Sequence, residues 1–190
     1  MRCHMFKGGT GTASRVLAPE EGGYTVGVLV QANHGRRDYF QFQGVPLGME
    51  IQGYECVNNT IQPKAGDGSI IVVVATDAPV LPHQLSKMCK RVPIGIGRLG
   101  AGFENGSGDI FIAFSTANEK AYSYTISTVE MLGDDMMDPL YKAVADAVEE
   151  AIFNALCAAE TMVGQSFNTC YAMPQDQVVD ILRRYGKIKD

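Results

Sequence analysis

Gly66-Asp67-Gly68-Ser69-Ile70-Ile71-Val72-Val73-Val74-Ala75-Thr76 is the stretch on which the reading of this sequence turns. A polar, turn-rich segment, residues 58–68, ends in a glycine, and a serine follows it. Behind the serine runs an unbroken apolar, β-branched segment. Such a run predicts a strand, and its lack of alternation predicts cover on both faces. Most Gly-Ser pairs ahead of a strand mark only a turn hydrogen bond. Three features also suit a scissile bond here. The linker is exposed, Gly68 tolerates backbone angles that side chains forbid, and the strand behind is rigid. A cut between Gly68 and Ser69 would place a hydroxyl nucleophile and a primary amine base on one residue.

The chain has 190 residues, the size of one domain, and 46% hydrophobic residues, enough for a core. A net charge of −5 and a pI near 5.2 speak against a general nucleic-acid binder. The acidic residues of 130–160 and the basic tail at 183–187 read as solvated surface. No apolar run is long enough to cross a bilayer, and residues 1–7 carry no apolar leader core. Cys3, Cys56, Cys89, Cys157 and Cys170 are odd in number and contain no C-x-x-C pair. That pattern predicts free thiols in a reducing compartment such as the cytoplasm. His4, His34 and His83 are scattered, so neither a metal site nor a cofactor is expected.

Outward from the serine, residues 24–32 predict a second strong strand between Gly22-Gly23 and Asn33-His34-Gly35. Residues 39–45 alternate weakly and suggest an antiparallel partner. Residues 1–7 predict a short strand, and 8–14 a Gly/Thr/Ser loop. Leu81, Leu85, Met88 and Val92 fall at helical spacing. Strands are expected at 109–116 and 122–128, a long helix over 139–163 and a last one over 175–185. Helices bunched behind strands favour an α+β arrangement of helices packed on sheets.

Gly95-Ile96-Gly97-Arg98-Leu99-Gly100 matches G-x-G-x-x-G, but a helical stretch precedes it where dinucleotide binding needs a strand. It reads as a glycine-rich turn. Gly8-Gly9-Thr10-Gly11-Thr12 lacks the Gly-Lys-Ser/Thr ending of a P-loop and reads as a structural turn, although such backbone can cradle an anion. Asn105-Gly106-Ser107-Gly108-Asp109 is either a plain tight turn or a source of chemistry. Ser107 and Asp109 would suit bonding an N-terminal ammonium and tuning its pKa. Asn33 caps the strand before it, or offers its amide to an oxyanion.

These segments resemble one family. Gly68-Ser69 with the strand behind it, Asp77-Ala78-Pro79 and Leu81-Pro82-His83-Gln84-Leu85 look like the start of the β-subunit of the DmpA-type aminopeptidases. These are the L-aminopeptidase/D-esterase-amidases and β-peptidyl aminopeptidases. Residues 6–15, 23–33, 35–37 and 105–111 match as well. The resemblance implies a four-layer αββα sandwich, like that of the N-terminal-nucleophile (Ntn) hydrolases and ornithine acetyltransferases. It implies a precursor that cuts itself at Gly68-Ser69. Residues 1–68 then end an α-subunit, and 69–190 form the β-subunit of a single domain. Ser69 is the implied nucleophile and amine base, Ser107 and Asp109 its tuning partners, and Asn33 the oxyanion donor. Short peptides, amides or esters are the implied substrates, and homo-oligomers of αβ units the implied assembly. The family's α-subunit is longer than 68 residues, so the chain is expected to be the C-terminal portion of a precursor. A catalytic tyrosine and pocket acids would then lie upstream, and a periplasmic signal could too. The alternatives are a non-catalytic fragment and an acyltransferase; the latter's relatives use threonine where Ser69 stands.

Overall fold

The computed structural model describes residues 1–59 and 68–189. Most of the expected linker over 58–68 thus falls outside the described residues. A four-stranded sheet carries the fold. The chain opens with a small hairpin, β1 (Arg2–Cys3) and β2 (Phe6–Lys7), then enters β3 (Gly9–Val16) and β4 (Thr25–Asn33). A one-turn helix α1 (Leu47–Glu50) precedes β5 (Ser69–Thr76). Helices α2 (Pro82–Cys89) and α3 (Val92–Arg98) lead to β6 (Ile110–Ser115). The 20-residue α4 (Asp138–Cys157) follows, then the hairpin β7 (Met162–Val163) and β8 (Thr169–Cys170), and α5 (Gln175–Arg184). The sheet order is β3-β4-β5-β6, with β5 antiparallel to β4 and parallel to β6.

Helices cover one face of this sheet. Leu140, Val144, Ala147, Val148, Ala151, Ile152, Ala155 and Leu156 line the buried stripe of α4. It meets Val26, Val28 and Val30 of β4, while Ile70, Val72 and Val74 of β5 point the same way. The opposite face is open. Leu29, Ile71, Ile110, Ile112 and Phe114 lie there, all between 42% and 60% exposed. The expectation that β5 is covered on both faces is therefore corrected. Its burial alternates, because among the described residues a helix layer packs on one side only.

Several local expectations also change. Residues 8–14 form most of an edge strand rather than a loop, so they build no anion cradle. Their small side chains admit α4: a Cβ on Gly11 would sit 2.0 Å from the Ala151 carbonyl oxygen. Residues 39–45 form no strand; a 3-10 turn covers Arg37–Tyr39, and only Phe42 and Val45 bridge. Residues 122–128 are non-strand and expose Tyr124 and Ile126 fully, because among the described residues no neighbouring strand edge takes them. Gly95 and Gly97 lie within α3, and α2 ends before Val92. The long helix stops at Cys157, since Met162 and Val163 are drawn into pairing with β8. In the acidic stretch, Asp146 and Glu149 of α4 pair with Arg98 of α3. In the tail, Arg184 and Tyr185 bond Glu50 of α1.

The cysteines depart furthest from expectation. Cys56 and Cys170 are disulfide-bonded, while Cys3, Cys89 and Cys157 are free. No local pattern links two cysteines 114 residues apart in sequence, so only the tertiary fold reveals the pair.

Candidate active site

The end of β4 and the start of β5 lie side by side, and Asn33 is the register partner of Ser69. Period-two alternation puts both side chains on the open face, with Leu29 and Ile71. Gly68 crosses close behind: a Cβ there would meet the Asn33 carbonyl oxygen at 2.5 Å. The residue before the serine must therefore be small whatever chemistry follows.

The Ser69 hydroxyl is held from two sides. It donates to the carbonyl oxygen of Gly68 at 2.7 Å and accepts from the backbone N–H of Gly108 at 2.9 Å. The turn at 105–109 is thus brought against the junction from 39 residues away in sequence. Asp109 Oδ1 accepts from the Ile70 N–H at 3.0 Å and from the Ser107 hydroxyl at 2.5 Å. Ser107, Asp109 and the backbone of Ser69-Ile70 form one connected network. Asn33 Oδ1 accepts from the Arg2 N–H at 2.9 Å. With its oxygen engaged, the amide keeps its NH₂ end as the group able to donate. All four residues singled out in the sequence meet at this one corner of the sheet.

Below the corner lies a buried polar group that sequence reasoning did not single out. His4 and His34 meet edge to face at 5.5 Å, and His4 stacks on Phe40 at 4.5 Å. His4 Nδ1 bonds the Arg36 carbonyl oxygen at 3.2 Å. Among the described residues, His4 Nε2, both His34 ring nitrogens and Glu104 Oε1 are buried without a partner. Burial, reinforced by the neighbouring His34, lowers the His4 pKa to about 3. Burial also lowers the His34 pKa to about 4, against the opposing pull of Asp109 and Glu104. Both imidazoles are neutral at pH 7. Cys3, His4 and His34 each bring one ligating atom within 4.8 Å of the others, so this trio has the donor set for a soft cation. Spacing patterns miss it because the donors come from two separated segments. Burial pushes the Cys3 thiol far up, so it stays protonated. A shallow groove of about 300 Å³ beside α4, lined by Arg15, Phe42, Glu150 and Phe153, contains none of the junction residues.

Comparison with known proteins shows which family the chain falls in. The profile of peptidase family S58 matches residues 1–170. The chain belongs to peptidase family S58. It is 45% identical to the β-peptidyl aminopeptidase BapA of Sphingosinicella microcystinivorans, over 99% of this chain and 50% of that protein. It is 40% identical to BapA of Sphingosinicella xenopeptidilytica, over 96% of this chain and 48% of that one. Among solved structures, the L-aminopeptidase D-Ala-esterase/amidase of Ochrobactrum anthropi superposes with a TM-score of 0.86 at 45% identity. The match covers 100% of this chain and 51% of that one. That enzyme is described as a prototype serine aminopeptidase with a new variant of the Ntn hydrolase fold. The PH0078 protein of Pyrococcus horikoshii OT3 superposes with a TM-score of 0.87 at 43% identity, over 99% of this chain and 50% of that one. The Ntn-hydrolase type of fold expected from the resemblance is therefore correct, with one sheet and its helix layer described in this chain, and S58 membership makes the chain a peptidase-family protein. It spans about half the length of the relatives it matches. Among the described residues, no helix is long and apolar enough to cross a membrane.

Proposed function

We propose that this chain is the nucleophile-bearing portion of a self-processing serine aminopeptidase, cut at Gly68-Ser69. In the first reaction the Ser69 oxygen attacks the Gly68 carbonyl carbon. The amide C–N bond breaks as an ester forms, and the Ser69 amine is released. Water then hydrolyses the ester, leaving a Gly68 carboxylate and a free N-terminal Ser69. The observation that carries this reading is the placement of the Ser69 hydroxyl. It lies against its own Gly68 carbonyl and beside the Gly108 N–H and Asn33.

In the second reaction the Ser69 amine takes the hydroxyl proton. An unperturbed α-amine titrates near ~8, so a useful neutral fraction exists at pH 7. Ser69 Oγ attacks the carbonyl of a substrate's first residue, and the Asn33 NH₂ bonds the oxyanion. The proton passes to the departing amine, and water hydrolyses the acyl-serine ester. Ser107 and Asp109 hold the amine in line with the hydroxyl. Substrates are short peptides or amino-acid amides and esters, and αβ units assemble as homo-oligomers. The Cys56–Cys170 bond suits an oxidising compartment and favours a periplasmic over a cytoplasmic location.

The open apolar face supports a second element of this reading. Ser69 and Asn33 project from that face, so the walls of a substrate pocket must rise there. In this chain nothing covers it among the described residues. Peptide hydrolysis therefore needs a further sheet layer, whether from a longer polypeptide or from a partner. Turnover of aminoacyl p-nitroanilides by the assembled enzyme tests the proposal. Release should vanish in Ser69→Ala and fall roughly 10²–10³-fold in Asn33→Ala. Unchanged turnover in Ser69→Ala would refute it.

A further inference from the structure

The segment just ahead of residues 60–67 is fastened to a distant part of the chain. Val57 and Thr169 exchange two backbone hydrogen bonds, of 2.8 and 3.0 Å. The Asn59 N–H donates to Asn168 Oδ1 at 2.6 Å, and the Asn59 amide to the Ser166 carbonyl oxygen at 2.9 Å. In antiparallel pairing, the position next to a doubly bonded pair is the close, non-bonded one, with Cα atoms about 4.5 Å apart. Cys56 and Cys170 occupy that position with Cα atoms 4.4 Å apart, and their sulfurs are joined. Backbone register and covalent bond thus agree.

The loop closed by this bond runs from 56 to 170 and contains the Gly68-Ser69 junction. A single cut inside a closed loop opens the loop without releasing a piece. We propose that Cys56–Cys170 is a covalent tether that keeps residues 1–68 joined to residues 69–190 after cleavage, an inference that rests on the cleavage reading above.

The tether matters because the upstream piece is not an appendage. It supplies β3 and β4, half of the central sheet, and it carries Asn33 opposite Ser69. Cleavage leaves these two candidate catalytic groups on different polypeptides. Without the disulfide their association is bimolecular and weakens on dilution; with it, association is intramolecular and independent of concentration. Formation removes two electrons and two protons from the thiols, taken up by a disulfide-class oxidant through thiol–disulfide exchange. A dithiol reductant returns them and frees both thiols.

The test uses the 190-residue chain purified without reductant and equilibrated with a glutathione redox buffer. After denaturation, thiol titration should find the three free cysteines, Cys3, Cys89 and Cys157. Five would overturn the tether. Cleaved protein should run as one species near 20.5 kDa without reductant and as two with it. Cys56→Ser should give two bands in both conditions, and its refolding should slow on dilution while wild-type refolding does not. Wild type separating into two bands without reductant would also overturn the proposal. One band in both conditions for wild type and Cys56→Ser alike would refute cleavage instead. A protease recognition sequence placed within residues 60–67 then makes the cut. The tether stands only if the cut halves part on reduction and not before.

Discussion

The two faces of the central sheet obey different rules. On the helix-covered face, every inward residue of β4 and β5 from Val26 to Thr76 is buried, and α4 approaches the neighbouring β3 through small residues, Gly11 against Ala151. That face explains why the chain folds. On the open face stand equally apolar residues, Leu29, Ile71 and Ile112, about half exposed because no helix layer packs on that face among the described residues. Yet Ser69 and Asn33 project from the open face. Stability is concentrated on one side of a sheet one residue thick, and candidate chemistry on the other. A residue's effect should therefore be set by its parity along the strand.

The largest expected contrast is at Ser69. Ser69→Ala should abolish cleavage and turnover while lowering unfolding free energy by only about 1 kcal/mol, the worth of a hydroxyl hydrogen bond. A large stability loss there would erase the distinction between the faces. On the covered face, Ile152→Ala removes a fully buried side chain. It should cost about 2–5 kcal/mol in urea unfolding yet leave the Ser69 chemistry intact in the fraction that stays folded. Acid should act beneath the corner where the faces meet. The unfolded histidines titrate near ~6.5, while His34 and His4 in the fold do so at about 4 and about 3. Between those limits the unfolded chain binds more protons, so stability should be full above ~6.5 and decline as pH falls towards 4. His34→Phe should flatten this decline in a series of unfolding curves; an unchanged slope would show that the histidines are not its cause. The smallest effect is expected at Ile112, which is 56% exposed. Ile112→Ser should move the stability of this chain by no more than about 0.5 kcal/mol. A larger loss would mean that the open face is packed in solution.

Much of this was legible before the fold was known, and the misses share a cause. The run 70–76 announced a strand, and Ser69, Asn33, Ser107 and Asp109 stood out by the chemistry of their side chains. What a one-dimensional pattern could not carry was who sits opposite whom. The apolar run of β5 looked buried on both faces because its outward residues are apolar too, although the described residues cover only one face with helices. The small residues of 8–14 looked like a loop because their size answers to α4, which comes more than 120 residues later. The Cys3–His4–His34 group and the Cys56–Cys170 bond are likewise products of tertiary approach. The segment 122–128 misled in the other direction, since local β preference needs a neighbouring edge to become a strand.

The most direct test is the intact mass of the purified chain under reducing conditions, which separates the pieces whether or not a disulfide joins them. The account predicts a product beginning at Ser69, with its complement ending at Gly68, and neither piece from Ser69→Ala. A wild-type chain that stays whole after prolonged incubation, or a Ser69→Ala chain cut at the same bond, would contradict it.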